Sequence, residues 1–257
     1  MSGKKANYGE LSLKLRKMKF AGMADELDRQ AEDPNIDLRD PYERIEALVN
    51  AEWTLRYNKK LNRFMKQATL RYPAASFDES IYDPSRKLDT ESLEQLAECD
   101  WINDRKNLLI TGRSSTGKTY IGNALAINAV RQFRSVRYIK ASYLMSEMEA
   151  ENLKGNSLEY LKKISSLALL VIDDFGLMDL DPNKCRNLFE VLDSREGKGS
   201  TMIISQLPVS VWCQFQKSLA GYFCPGLNSA MNLSMRSSTG IFSITFASRA
   251  SCALRRV

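Results

Sequence analysis

Gly112-Arg113-Ser114-Ser115-Thr116-Gly117-Lys118-Thr119 lies directly after the apolar run Asn107 to Thr111 and before the helix-length segment Tyr120 to Val130. The order is strand, glycine-framed loop, helix. Gly112 and Gly117 let the backbone curl until consecutive N–H groups face one concavity, and the helix that follows adds its positive end. That concavity suits phosphate oxygens. In the pattern G-x-x-x-x-G-K-[ST], Lys118 brings a point charge to the β- and γ-phosphates and Thr119 offers its hydroxyl to Mg²⁺. The eight residues from Gly112 to Thr119 are therefore expected to cradle the phosphates of a nucleotide bound with Mg²⁺.

Two further strand ends belong with this loop. Leu167-Ala168-Leu169-Leu170-Val171-Ile172 is an unbroken apolar run that ends in Asp173-Asp174, the pattern of a strand buried on both faces whose carboxyl end opens at a ligand. Asp173 is expected to hold Mg²⁺ together with Thr119. Asp174 is expected to orient or deprotonate the attacking water, so that Asp174, Lys118 and Ser205 form the catalytic set. Ser205 enters because Thr201-Met202-Ile203-Ile204-Ser205-Gln206 is a third apolar strand ending in polar side chains, either Ser205 or Gln206 being placed to sense the terminal phosphate.

Outward from these motifs, Asn107 to Thr111, Val136 to Ile139, Leu167 to Ile172 and Thr201 to Ile204 alternate with helix-length segments. Such alternation predicts an α/β fold with a parallel central sheet. Before it, Leu11 to about Arg71 is rich in Leu, Lys, Arg and Glu at helical spacing, broken at Asp33-Pro34 and Asp40-Pro41. The expected organisation is a helical region over 1–72, a linker and lead-in helix over 73–100, a nucleotide-binding core over 101–211 and a poorly ordered tail over 212–257. Trp53 to Tyr72 contains six Lys and Arg and no acidic residue. Of these, Arg56, Lys59, Lys60, Arg63 and Lys66 share a broad helical face, which suits either the phosphates of a nucleic acid or plain solvent.

Composition removes other chemistries. The 257 residues carry 37 Lys+Arg, 31 Asp+Glu, five Cys and no His, which excludes imidazole general bases, Ser-His-Asp triads and His-ligated metals. The cysteines are too scattered for a zinc site or a disulfide framework. No apolar run approaches the roughly 20 residues of a membrane span, and MSGKKANYGE lacks a signal-peptide core, so a cytoplasmic protein without membrane partners is expected. Glu196 is the last acidic residue, and the 46 residues from Trp212 onward hold eight Ser and three of the five Cys. This tail has the character of a segment read in another frame, with a divergent native tail as the alternative.

With the phosphate loop, the Asp173-Asp174-Phe175-Gly176 ending and the Ser205-Gln206-Leu207-Pro208 turn in view, the chain closely resembles the IstB-like family. Those proteins are encoded beside the transposase in bacterial insertion sequences and are related to DnaC-like helicase loaders of the AAA+ superfamily. The resemblance runs from about Leu11 to Trp212. It implies an AAA+ P-loop fold, ATP and Mg²⁺ binding, slow ATP hydrolysis, ATP-dependent homo-oligomerisation on double-stranded DNA and delivery of a target site to a cognate transposase. In that comparison Gly112 to Thr119 match the Walker A motif, Asp173 and Asp174 the Walker B motif and Ser205 the sensor position. Ser115 departs from the family wording, which has a small flexible residue there. The family's arginine-bearing motif does not appear after Trp212, and Arg195 is the candidate for a surviving interface arginine. A helicase loader and a nucleotide-binding remnant without transposition activity are the alternative readings.

Overall fold

The computed structural model describes residues 7–77, 90–177, 181–207, 242–246 and 252–256, with only the backbone described for 90 and for the last two segments. The chain forms two compact units, Met1–Arg63 and Phe64–Val257.

The first unit holds α1 (Tyr8–Lys17), α2 (Ala21–Glu32), a 3-10 turn (Ile36–Leu38) and most of α3 (Pro41–Ala68), so the unit boundary falls inside α3. Both predicted proline breaks are present. Pro41 opens α3, where its missing N–H costs nothing because first-turn N–H groups have no helical acceptor. The start of α2 is capped from another helix. Phe20 at its N-cap supplies no side-chain acceptor, and Glu52 on α3 accepts from the Gly22 N–H at 2.8 Å and the Met23 N–H at 3.4 Å. Arg56, one turn further on, donates to the other Glu52 oxygen at 2.6 Å.

The second unit is built on α4 (Thr90–Ala97), α5 (Asp100–Asn103), β1 (Leu108–Gly112), α6 (Lys118–Arg131), β2 (Val136–Lys140), α7 (Ala141–Leu153), α8 (Ser157–Ser165), β3 (Leu169–Phe175), α9 (Pro182–Arg195), β4 (Ser200–Ser205), β5 (Phe242–Phe246) and β6 (Cys252–Arg256). The sheet order is β2-β3-β4-β1-β5-β6, parallel throughout except for the β5–β6 pair. All four strands expected from the sequence are present, and Asp173 and Asp174 lie within β3 itself.

Alternation along the strands sends side chains to opposite faces. Leu109, Ile139, Leu170, Ile172 and Ile203 pack with Leu144, Met145 and Met148 of α7, Ile164 of α8 and Leu188 and Val191 of α9. The opposite face takes α6, where Gly122 allows the helix to press on β4: a Cβ there would meet Ile204 Cδ1 at 2.5 Å. The sheet is thus covered on both sides, which is why its strands read as continuous apolar runs. β5 and β6 fall within the tail expected over 212–257; the rest of that segment, with the frame-shift reading and the search for the family's arginine motif, lies outside the described residues. The lead-in helix expected near Thr90 is α4, and residues 78–89 of the expected linker are likewise outside the described residues.

Candidate nucleotide site

The carboxyl ends of β1, β3 and β4 bring the three motifs to one rim. Between them opens a cavity of about 620 Å³ lined by Ser114, Ser115, Gly117, Lys118 and Thr119 of the loop, Asp173 and Asp174 of β3, and Ser205 and Gln206 at the end of β4. Gly112, Arg113 and Thr116 frame the loop without lining this cavity. Gly117, with φ +87°, takes the left-handed conformation that turns the loop into α6. Ser115 takes it too, at φ +61°. A side chain there meets the steric penalty that glycine avoids.

Lys118 is only 6% exposed. Its ammonium donates to the Arg113 carbonyl, closing the loop upon itself, and stands 3.5 Å from Thr116 Oγ1. Burial lowers the Lys118 pKa, with Asp173 and Asp174 pulling the other way. The Thr116 hydroxyl donates to the same Arg113 carbonyl at 2.9 Å. The Thr119 carbonyl accepts from the Asn123 side chain at 2.7 Å, fixing the first turn of α6 under the loop.

Asp173 is 1% exposed, and a buried carboxylate requires partners. Tyr138 of β2 donates its hydroxyl to Oδ2 at 2.6 Å, and the Asp174 N–H donates to Oδ1 at 2.8 Å. Burial, then the bond to Asp173, push the Tyr138 phenol well above its ordinary range, so it remains a donor. Asp174 has φ +55° and pairs through Oδ2 with Lys140 Nζ at 2.9 Å, at the end of β2. Neither Tyr138 nor Lys140 carried a sequence signal: both are brought to the site by the β2–β3 register, in which Tyr138 faces Val171 and Lys140 faces Asp173.

Ser205 reaches the cavity rim with its hydroxyl already committed. It donates to the Phe175 carbonyl at 2.8 Å and accepts from the Leu207 N–H at 3.0 Å, tying β4 to β3. Gln206 beside it is half-buried and lines the same cavity.

Arg195 corrects an expectation. It is 1% exposed, donating through Nε to Thr201 Oγ1 at 3.0 Å, through Nη1 to the Ile164 and Leu167 carbonyls and through Nη2 to the Ser200 carbonyl. Burial pulls its pKa down to about 10. A guanidinium enclosed by its own fold and spent on four oxygens cannot reach a neighbouring subunit; Arg195 is a staple joining α8, α9 and β4.

The basic stripe lies on α3 with Arg56, Lys59, Lys60, Arg63 and Lys66 all exposed. Arg56 is partly committed within the fold. Besides Glu52, it donates to the Lys19 carbonyl at 3.3 Å and covers the Phe20 ring at 5.0 Å.

The sequence model for the IstB-like ATP binding protein matches residues 11–220, most of the chain. The chain belongs to the IstB-like ATP-binding protein family. A protein of insertion sequence IS1162 from Pseudomonas fluorescens, named for ATP binding, is 35% identical over 196 residues, covering 76% of this chain and 85% of its own. A Sinorhizobium fredii insertion sequence protein, y4uH, also named for ATP binding, is 34% identical over 77% of this chain and 79% of its own. Among solved structures, the DnaC helicase loader is similar at 14% identity and a TM-score of 0.46, over 63% of this chain and 96% of that one. The architecture of this IstB-like chain is the α/β type with a parallel central sheet expected from its motifs. Among the described residues no helix is long and apolar enough to cross a membrane.

The residues present fit a nucleoside polyphosphate with Mg²⁺. The loop and the α6 N-terminus offer N–H groups, Lys118 a buried cation, and Asp173 a buried carboxylate with lone pairs beyond its two bonds.

Proposed function

We propose that this IstB-like protein is a cytoplasmic ATP-dependent DNA-binding helper of transposition, which binds Mg·ATP in the cavity, assembles on double-stranded DNA and presents it to a cognate transposase. The convergence of Lys118, Thr119, Asp173 and Asp174 on one cavity at the ends of three parallel strands carries the reading. The Gly112–Thr119 loop holds the phosphates; Lys118 leaves the Arg113 carbonyl for them. Thr119 and Asp173 would hold Mg²⁺, which when bound neutralises phosphate charge. Asp174, released from Lys140, orients the water or accepts its proton, while Ser205 and Gln206 close the β4 side. A carboxylate one methylene shorter than Glu reaches less far, which is consistent with slow turnover.

Duplex DNA is assigned to the stripe of α3. Lys59, Lys60, Arg63 and Lys66 supply charge to phosphates without reading bases, and Arg56 shares its charge with Glu52. Homo-oligomer formation and contact with the transposase follow from the insertion-sequence family alone.

The test is a mobility shift of random duplex DNA with and without Mg·ATP across a salt series, beside Lys118→Ala. Large ATP-dependent complexes that weaken steeply with salt, and that Lys118→Ala abolishes, support the reading. Nucleotide-independent binding, or capture of a replicative helicase with no duplex binding, would overturn it.

A further inference from the structure

We propose that Arg71 binds the terminal phosphate of the nucleotide, making the segment after α3 a sensor that separates ATP from ADP. This rests on the nucleotide reading above and adds a residue outside its motifs.

Among the described residues three cations line the cavity: Arg71, Lys118 and Lys140. Lys140 is neutralised by Asp174 at 2.9 Å, and Lys118 is the motif lysine. Arg71 makes no ion pair with a carboxylate among the described residues. Its guanidinium lies 5.4 Å from the centroid of the Tyr72 ring, and Tyr72, with Tyr138 and Asp173 nearby, favours its charged form. Tyr138 donates to Asp173 at 2.6 Å, and Arg71 lines the same cavity as this carboxylate, which is assigned to Mg²⁺.

Both flanks of Arg71 are pinned. On one side Thr69, in the left-handed region at φ +50°, donates its hydroxyl to the Tyr138 carbonyl at 2.9 Å. On the other, the Tyr72 N–H donates to Asn123 Oδ1 at 3.2 Å, and Asn123 holds the Thr119 carbonyl. The tethers run to β2 and to the first turn of α6, the elements that carry Tyr138 and Thr119. The tethers hold the backbone on either side of Arg71 beside the cavity, and the planar fork of its guanidinium matches a phosphate with two parallel N–H bonds.

Position selects the phosphate. Ser114, Ser115 and Gly117 line the loop side of the cavity, whereas the charge of Arg71 is influenced by Tyr72, Tyr138 and Asp173, the last of them next to the Asp174 assigned to the attacking water. A guanidinium on that side meets the end of the triphosphate that ADP lacks.

The experiment is equilibrium binding of fluorescent ATP and ADP, with Mg²⁺, to the full chain and to Arg71→Ala, Arg71→Lys and Lys118→Ala. Arg71→Ala should weaken ATP by roughly 10- to 100-fold, the range of a charge-assisted pair, and leave ADP within about threefold by the same reasoning. Arg71→Lys should recover part of the loss because it keeps the charge without the fork. If Arg71→Ala fails to fold, a several-fold fall in the ATP-to-ADP affinity ratio of Arg71→Lys carries the same weight. An unchanged ratio in the folded variants, whether both affinities fall together or neither does, overturns the role of Arg71 and leaves the nucleotide site standing. Failure of the parent to bind either nucleotide, or indifference of both to Lys118→Ala, overturns the site and this proposal with it.

Discussion

Ser115 and Arg195 show how individual side chains are used against their usual preferences. A left-handed serine in the phosphate loop bears a penalty of about 1–2 kcal/mol, whereas glycine would cost about 0.5–1 kcal/mol through its freer unfolded chain. Ser115→Gly should therefore stabilise the protein by roughly 0.5–1 kcal/mol, read as a higher urea midpoint with an unchanged slope. A lower midpoint would mean that the serine hydroxyl repays its strain through the loop. Arg195 illustrates the reverse economy. Its four oxygen partners make a buried cation tolerable where no carboxylate faces it among the contacts described, and this is why it serves as a joint between elements and not as a reaching group.

Among the helices, the start of α2 depends on a side chain thirty residues away. Glu52 is nearly enclosed. Burial alone would raise its pKa, but the Arg56 pair and the Gly22 and Met23 N–H groups more than offset this and hold it below its ordinary value of 4.5. The charged form is therefore favoured in the folded state. Its contribution is complete above the unfolded pKa and is lost as pH falls through the lowered folded value. Glu52→Gln should cost roughly 1–2 kcal/mol at neutral pH, the usual worth of a cap with a charged acceptor. The same variant should lose less helix stability than the parent between neutral pH and pH 3, followed by circular dichroism. Equal acid sensitivity in the two proteins would remove Glu52 from this role.

For the molecule as a whole, β5 decides what kind of strand β1 is. Phe242 to Phe246 pair in parallel along the full length of β1, opposite β4. The strand that launches the phosphate loop is thereby interior. A chain ending after Ile241 would turn β1 into an edge with a row of unpaired N–H and C=O groups. Its melting temperature should fall by about 5 °C or more, since each kcal/mol is worth roughly 2–4 °C at this size, and it should self-associate on size-exclusion chromatography. A truncated chain that melts like the parent and stays monomeric would show that β5 contributes nothing to the core.

Local patterns were enough for the parts of the protein whose physics is local. The curl of Gly112 to Thr119, the apolar run ending in Asp173-Asp174, the period-two strands and the proline breaks each follow from backbone freedom or from burial along a few consecutive residues, and the α/β fold follows from their alternation. What needed the folded chain were pairings between residues distant in sequence. Tyr138 meets Asp173 only through strand register, Lys140 meets Asp174 only at the ends of neighbouring strands, and Glu52 reaches Gly22 only because α2 lies on α3. Arg71 reads in sequence as one more member of a basic run; α3 ends at Ala68, and the turn at Thr69 aims the chain at the cavity. Arg195 reads as a surface arginine because no local pattern foretells which carbonyls will need a donor. Sequence periodicity specifies which face of an element is apolar, whereas partners for buried polar groups are chosen by packing, and packing is a property of the whole chain.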